Sequence, residues 1–172
     1  IQTFSNIILT AHTDTWKVEI PKALIDDGQN RFTVRVYDLA GNYNETSNGS
    51  AYVIADYVNP VVAITAVTPT VNTDYVNGTI TVVGNVTESN LASLKYSVYL
   101  NNSTTASYTS DDLGKLYNFS QTIDTTKWVT DTTKTPINIV FTATDAAENT
   151  GEASTTTYHG KNYTVDQATD KP

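Results

Sequence analysis

Arg31-Phe32-Thr33-Val34-Arg35-Val36-Tyr37-Asp38 and Asn138-Ile139-Val140-Phe141-Thr142-Ala143-Thr144-Asp145 follow one pattern. Phe32, Val34 and Val36 share a phase, as do Ile139, Phe141 and Ala143. That two-residue period belongs to a half-buried strand. Each stretch closes on an Asp in the apolar phase. The first runs on into Leu39-Ala40-Gly41-Asn42 and the second into Ala146-Ala147-Glu148-Asn149.

The match extends outward in both directions. Trp16, Val18 and Ile20 alternate upstream of the first stretch as Phe119, Gln121 and Ile123 do upstream of the second. Downstream, Asp56-Tyr57-Val58-Asn59-Pro60 answers Ala168-Thr169-Asp170-Lys171-Pro172. A unit repeated at fixed spacing sets the architecture. Residues 60–172 have room for a complete repeat, and residues 1–59 hold only the C-terminal half of one. Either the sequence begins inside a repeat, the preferred expectation, or another chain supplies the missing strands by β-augmentation.

Within 60–172 the expected strands are Val61–Val67, Thr79–Val86 after the Asn77-Gly78 turn, and an alternating run with Leu94, Tyr96, Val98 and Leu100 on one face. A short edge strand near Ser107-Tyr108 follows, then Leu116–Ile123, Ile137–Asp145 and Ala153–Val165. About seven short strands without a helical period imply an all-β, two-sheet antiparallel sandwich. The composition agrees: only 16% of residues are charged, and the remainder is rich in Thr and in Tyr, with 11 tyrosines. These residues favour pleated surfaces over helices.

A net charge of −8 argues against nucleic acid, which needs a basic surface. With no cysteine, neither disulfides nor thiolate metal sites can form. No apolar run is long enough to span a membrane in this segment. His12 and His159 are the only histidines, and neither stands in a nucleophile or metal-ligand spacing. No catalytic residue is therefore expected. Trp16, in phase with Val18 and Ile20, reads as core, and Trp128 as a plug at one end of the sandwich. Exposed-phase Tyr37 and Tyr99 leave a glycan-binding surface as an alternative.

The run Asn77-Gly78-Thr79-Ile80-Thr81-Val82-Val83-Gly84 resembles the bacterial immunoglobulin-like (cadherin-like) repeat. So do Leu94-Lys95-Tyr96-Ser97-Val98 and Thr142-Ala143-Thr144-Asp145 with Asn149. The resemblance implies tandem immunoglobulin-like sandwiches in a cell-surface or secreted prokaryotic protein, an adhesin or stalk. Its partners would be neighbouring repeats of the same polypeptide, and a host or cell-surface protein or glycan. Asp38–Asn42 keeps the Asp-x-Ala-Gly-Asn hairpin of that family. Glu148 replaces its Gly in the second copy, which implies an altered hairpin or a recruited carboxylate.

In that topology the second–third and sixth–seventh loops share the N-terminal pole. They bring Glu88 and Asn90 together with Asp145, Glu148 and Asn149. The linker, with Asp56 and Asn59, enters there, and Asp26 and Asp27 of the preceding copy face the same junction. Asp145 points inward, and an isolated buried carboxylate is costly. Two readings stay open: the carboxylate ties down its own hairpin as an Asx turn, or Asp56, Asn59, Glu88, Asp145, Glu148 and Asn149 supply oxygens to an interdomain Ca²⁺. Asn-x-Ser/Thr triplets begin at Asn44, Asn48, Asn77, Asn85, Asn101, Asn102, Asn118 and Asn162, where chance gives roughly four.

Overall fold

In the computed structural model, residues 19–46, 52–68, 75–129 and 134–167 are described. The chain divides into two units, 1–57 and 58–172, two residues from the boundary drawn on the sequence. Among the described residues, the strands of both units pair antiparallel, apart from one short parallel pair in the second.

In the first unit, a short 3-10 turn over Lys22–Leu24 precedes β1 (Gly28–Arg31), β2 (Val34–Tyr37), β3 (Tyr43–Thr46) and β4 (Tyr52–Ala55). β1 pairs with β4 and β2 with β3. The run expected as one strand over Arg31–Asp38 is thus divided at Phe32-Thr33. Trp16, Val18 and His12 lie outside the described residues.

The second unit contains β5 (Val61–Thr68), β6 (Tyr75–Val76), β7 (Thr79–Thr87), β8 (Leu91–Leu100), β9 (Tyr108–Thr109), β10 (Asn118–Asp124), β11 (Thr135–Asp145), β12 (Thr150–Ser154), a one-turn helix α1 (Thr155–His159) and β13 (Tyr163–Val165). One sheet has the order β10-β7-β5. The other has the order β6-β13-β11-β8-β9, with β12 also on β11. The two face each other across one core. Phe119 of β10 stacks on Phe141 of β11, ring centroids 4.5 Å apart. Val82, Tyr96, Val98 and Phe141, expected in one core, all lie in it. The alternation along β11 is unbroken, every second residue from Thr135 to Asp145 being buried.

Two local features fix how the sheets meet. Gly84 faces Phe119 across β7 and β10, at the bulge where the β5–β7 register shifts between Ile64 and Ala66. A Cβ there would stand 2.3 Å from the Phe119 ring and 2.4 Å from the Ala63 carbonyl oxygen, so only glycine fits. β6, which the sequence reading missed, pairs parallel to β13 and closes one edge of the larger sheet.

The single strand expected over Ala153–Val165 is corrected: it is two strands interrupted by α1. The cause is the Ser-Thr-Thr-Thr run, whose hydroxyls compete for backbone partners. Ser154 Oγ accepts the Thr157 N–H at 3.0 Å as an N-cap. Gly160, with φ 82°, ends the turn. Thr155 Oγ1 accepts the Ile139 N–H at 3.0 Å, and the Asn138 side chain accepts the Thr156 N–H at 3.2 Å. Side chains thus replace the ladder bonds that an unbroken strand would have made.

Candidate functional site

The expected polar site is built on the β11–β12 hairpin of the second unit. The Asp145 N–H donates to the Asn149 carbonyl at 3.1 Å, and the Glu148 N–H to the Asp145 carbonyl at 3.3 Å. Asp145 Oδ1 accepts the N–H groups of Ala147 (2.8 Å) and Asn149 (2.9 Å). Its Oδ2 accepts from Asn149 Nδ2 at 2.8 Å. The residue is 1% exposed. Burial on its own would raise its pKa, but the Asn149 side chain and the Asn149 and Ala147 amides outweigh it. The carboxyl is held below its ordinary value of 3.8. These bonds satisfy the buried carboxylate within its own turn.

The same hairpin stands in the first unit. The Asp38 N–H donates to the Asn42 carbonyl (2.9 Å), and the Gly41 N–H to the Asp38 carbonyl (3.1 Å). Asp38 Oδ1 accepts from Ala40 and Asn42, both at 2.9 Å, and Oδ2 from Asn42 Nδ2 at 2.8 Å. The flanking registers also agree. Val34 opposes Thr46 as Phe141 opposes Ala153, and Val36 opposes Asn44 as Ala143 opposes Gly151. Farther out, Gly28 opposes Ala55 as Thr135 opposes Val165. Asp38, however, is exposed, not inward-facing as its phase suggested. Val36 beside it is 53% exposed, while Phe32 and Val34 on the same face are half-buried, so the burial expected for that face is only partial. The Asn42 side chain comes first among the causes that hold the Asp38 pKa low.

Glu148 occupies the place of Gly41. Their φ angles are 68° and 87°, both left-handed. The altered hairpin expected from this substitution is absent: Glu148 adopts the glycine conformation, and its side chain is exposed.

Glu88, another expected ligand, comes to this pole with its loop neighbour Asn90. The Ala146 N–H donates to the Asn90 carbonyl at 2.9 Å. Glu88 is half-buried, and its Oε1 accepts the Asn90 N–H at 2.8 Å. One carboxylate oxygen each of Glu88 and Asp145 lie within 4.8 Å of each other. Asn59 is exposed, next to Pro60, whose carbonyl oxygen faces Gly151 of β12; a Cβ on Gly151 would meet that oxygen at 1.7 Å. Asp56 belongs to the first unit. There Asp27 Oδ1 accepts the Tyr57 N–H at 2.8 Å, which joins the polar connection to the end of the unit.

Elsewhere, His159 stacks on Tyr163 with ring centroids 4.4 Å apart. Trp128 is half-buried against the core and 5.2 Å from the Tyr108 ring, consistent with an end plug. Tyr99 is half-buried, while Tyr37 is exposed and lies 5.5 Å from Tyr43. The sequence reading missed Asp166, 2% exposed and paired with Lys134 at 3.6 Å. Its only signal was position, an Asp directly after the alternating Tyr163-Thr164-Val165. No protein-family model, curated protein or solved structure matches the chain.

Proposed function

We propose that the chain is a non-enzymatic spacer: tandem immunoglobulin-like β-sandwich repeats of a secreted or cell-surface prokaryotic protein, an adhesin or stalk. The observation that carries this reading is the recurrence of one hairpin, bond for bond, at Asp38–Asn42 and Asp145–Asn149, flanked by strands in equal register. A turn stapled by its own carboxylate needs no ligand and tolerates repetition. The connectivity of the second unit supports the immunoglobulin-like assignment, with a long central β11 flanked by β8 and β12–β13 and backed by β10-β7-β5. Its longest strand has 11 residues, which gives roughly 36 Å of length at 3.3 Å per residue.

The test is the size and address of the native polypeptide. A spacer predicts a parent far larger than 18.7 kDa that external protease removes from intact cells. A cytoplasmic protein of about this mass would end the reading.

A second reading is favoured by the apolar surface of the first unit, where Val36, Tyr52 and Ile54 are 53%, 51% and 64% exposed. It is a subunit whose half-repeat is completed by a neighbour's strands. Calcium at the pole is likewise a proposal, with Glu88 and Asp145 as the nearest carboxylates and Asp56, Asn59, Glu148 and Asn149 as further oxygens. Calcium that raised the unfolding midpoint progressively, with the logarithm of its concentration at saturation, would support it. An unchanged midpoint in chelator leaves Asp145 to its hairpin.

A further inference from the structure

We propose that the β8–β9 turn carries an N-linked glycan on Asn101, an inference that rests on the reading of the chain as exported. The turn holds two overlapping acceptor triplets, Asn101-Asn102-Ser103 and Asn102-Ser103-Thr104. Asn101 and Asn102 both take left-handed backbone, φ 55° and 58°, and the Ser103 N–H closes the turn on the Leu100 carbonyl at 3.0 Å. Both are exposed at the tip. The Asn101 backbone N–H is fixed by the Pro136 carbonyl at 2.9 Å, so the base of the turn is rigid. Asn102 Oδ1, by contrast, accepts from Asn162 Nδ2 at 2.5 Å, which commits the neighbouring amide.

The other described triplets begin within strands, where Asn44 and Asn118 are exposed, or at half-buried residues. Asn85 and Asn118 oppose each other in the β7–β10 ladder. Asn44 opposes Val36 in β2–β3. Asn162 is half-buried and accepts from the Thr156 hydroxyl. Asn77 is half-buried and precedes Gly78, whose carbonyl receives Thr125. A bulky sugar on the folded protein needs an exposed amide outside the strands, and Asn101, just past the end of β8, supplies it.

The co-reactant is a lipid-diphosphate-linked sugar presented by a transferase. The Asn101 amide nitrogen attacks the anomeric carbon, and the new C–N bond forms as the C–O bond to diphosphate breaks. Diphosphate leaves with the electron pair, and the amide proton passes to a base of the transferase.

Trypsin isolates the site, because Tyr96–Lys115 lies between Lys95 and Lys115 and contains no other triplet. In protein purified from its own cells, this peptide should carry hexose-containing mass. Glycoamidase treatment should convert Asn101 to Asp, and Asn101→Gln should abolish the modification. A bare peptide overturns the proposal, as does modification confined to Asn102, Asn118 or Asn162. Protease treatment of the intact cells reads export separately. A bare peptide on an exported protein removes the glycan alone, and a protein refractory to external protease removes the exported reading.

Discussion

Asp145 and Asn149 clasp each other through three hydrogen bonds: backbone to backbone, backbone to carboxylate, and side chain to side chain. Asp38 and Asn42 do the same at the surface of the first unit. The chemistry is identical and the burial is not, which makes the pair a natural comparison. Removing a partner of a buried, charge-assisted bond leaves desolvated donors behind, whereas water replaces an exposed one.

Asp145→Ala should therefore destabilise the second unit by roughly 3 kcal/mol. Asp38→Ala should leave that unit's transition unmoved. Urea unfolding followed by Trp128 fluorescence, with Trp16→Phe in both variants and in the reference, reports the second unit. A loss below about 1 kcal/mol for Asp145→Ala would mean that Asp145 is solvated in solution.

Glu148→Gly should stabilise. A non-glycine residue at φ 68° bears backbone strain that glycine does not, and the structure shows nothing within 4 Å of a Cβ at the equivalent Gly41. The expected gain is about 1 kcal/mol. A rise in the urea midpoint at constant slope checks it. A fall would show that the Glu148 carboxylate contributes something the hairpin geometry does not reveal, such as a ligand oxygen.

Phe141→Ala should cost about 3–5 kcal/mol. Phe141 is fully buried, stacked on Phe119 and 5.7 Å from the Tyr96 ring, so truncation opens a cavity between the sheets. Near-ultraviolet circular dichroism should lose aromatic signal together with stability. A loss below about 1 kcal/mol would mean that the sheets close over the gap.

Strand periodicity made the core legible. Phe141, Val82, Tyr96 and Val98 are placed by alternation alone, because a two-residue period on both sheets permits one inward face. Periodicity failed at Ala153–Val165, where the hydroxyl run caps a helical turn in a stretch that still alternates. It failed at Asp38 for another reason: phase predicts burial only if a second sheet covers the face. The Asp–Asn clasp was half-legible. An Asx turn could be read from Asp145, but that Glu148 would accept a glycine's backbone could not, since the strain is outweighed by bonds that appear only in three dimensions. β6 gave no pattern at all, because a two-residue strand has no period, and Asp166 gave only its place after Tyr163-Thr164-Val165.

Gly151→Ala should destabilise by about 1–3 kcal/mol or more. The added Cβ would overlap the Pro60 carbonyl oxygen, a backbone atom that moves only if β5 or β12 moves. Because Pro60 lies directly before β5, near the start of the unit, the damage should be local. Hydrogen exchange should rise first in β5 and β12, with β8 and β11 still protected near their centres. Uniform loss of protection would show that this contact is part of the global fold.

The last prediction concerns acid. The folded pKa values of Asp145, Asp38 and Asp124 lie below their ordinary 3.8. At Asp145, the Asn149 and Ala147 donors overcome burial. At Asp38 the Asn42 side chain leads, and at Asp124 the Thr126 hydroxyl, which donates to the carboxylate at 2.6 Å. A carboxyl depressed on folding binds its proton more readily when unfolded, so stability falls as pH falls. The contribution is fully present well above 3.8 and drains away below it, as pH drops through the folded values. The second unit should hold its midpoint at mildly acidic pH and lose it steeply below 3.8. Asp145→Asn removes the charge at every pH, so its stability curve should start lower and run flatter through that window. Parallel curves for the two proteins would mean that Asp145 titrates alike in the folded and unfolded chain, and that the clasp holds its proton no less readily than water does.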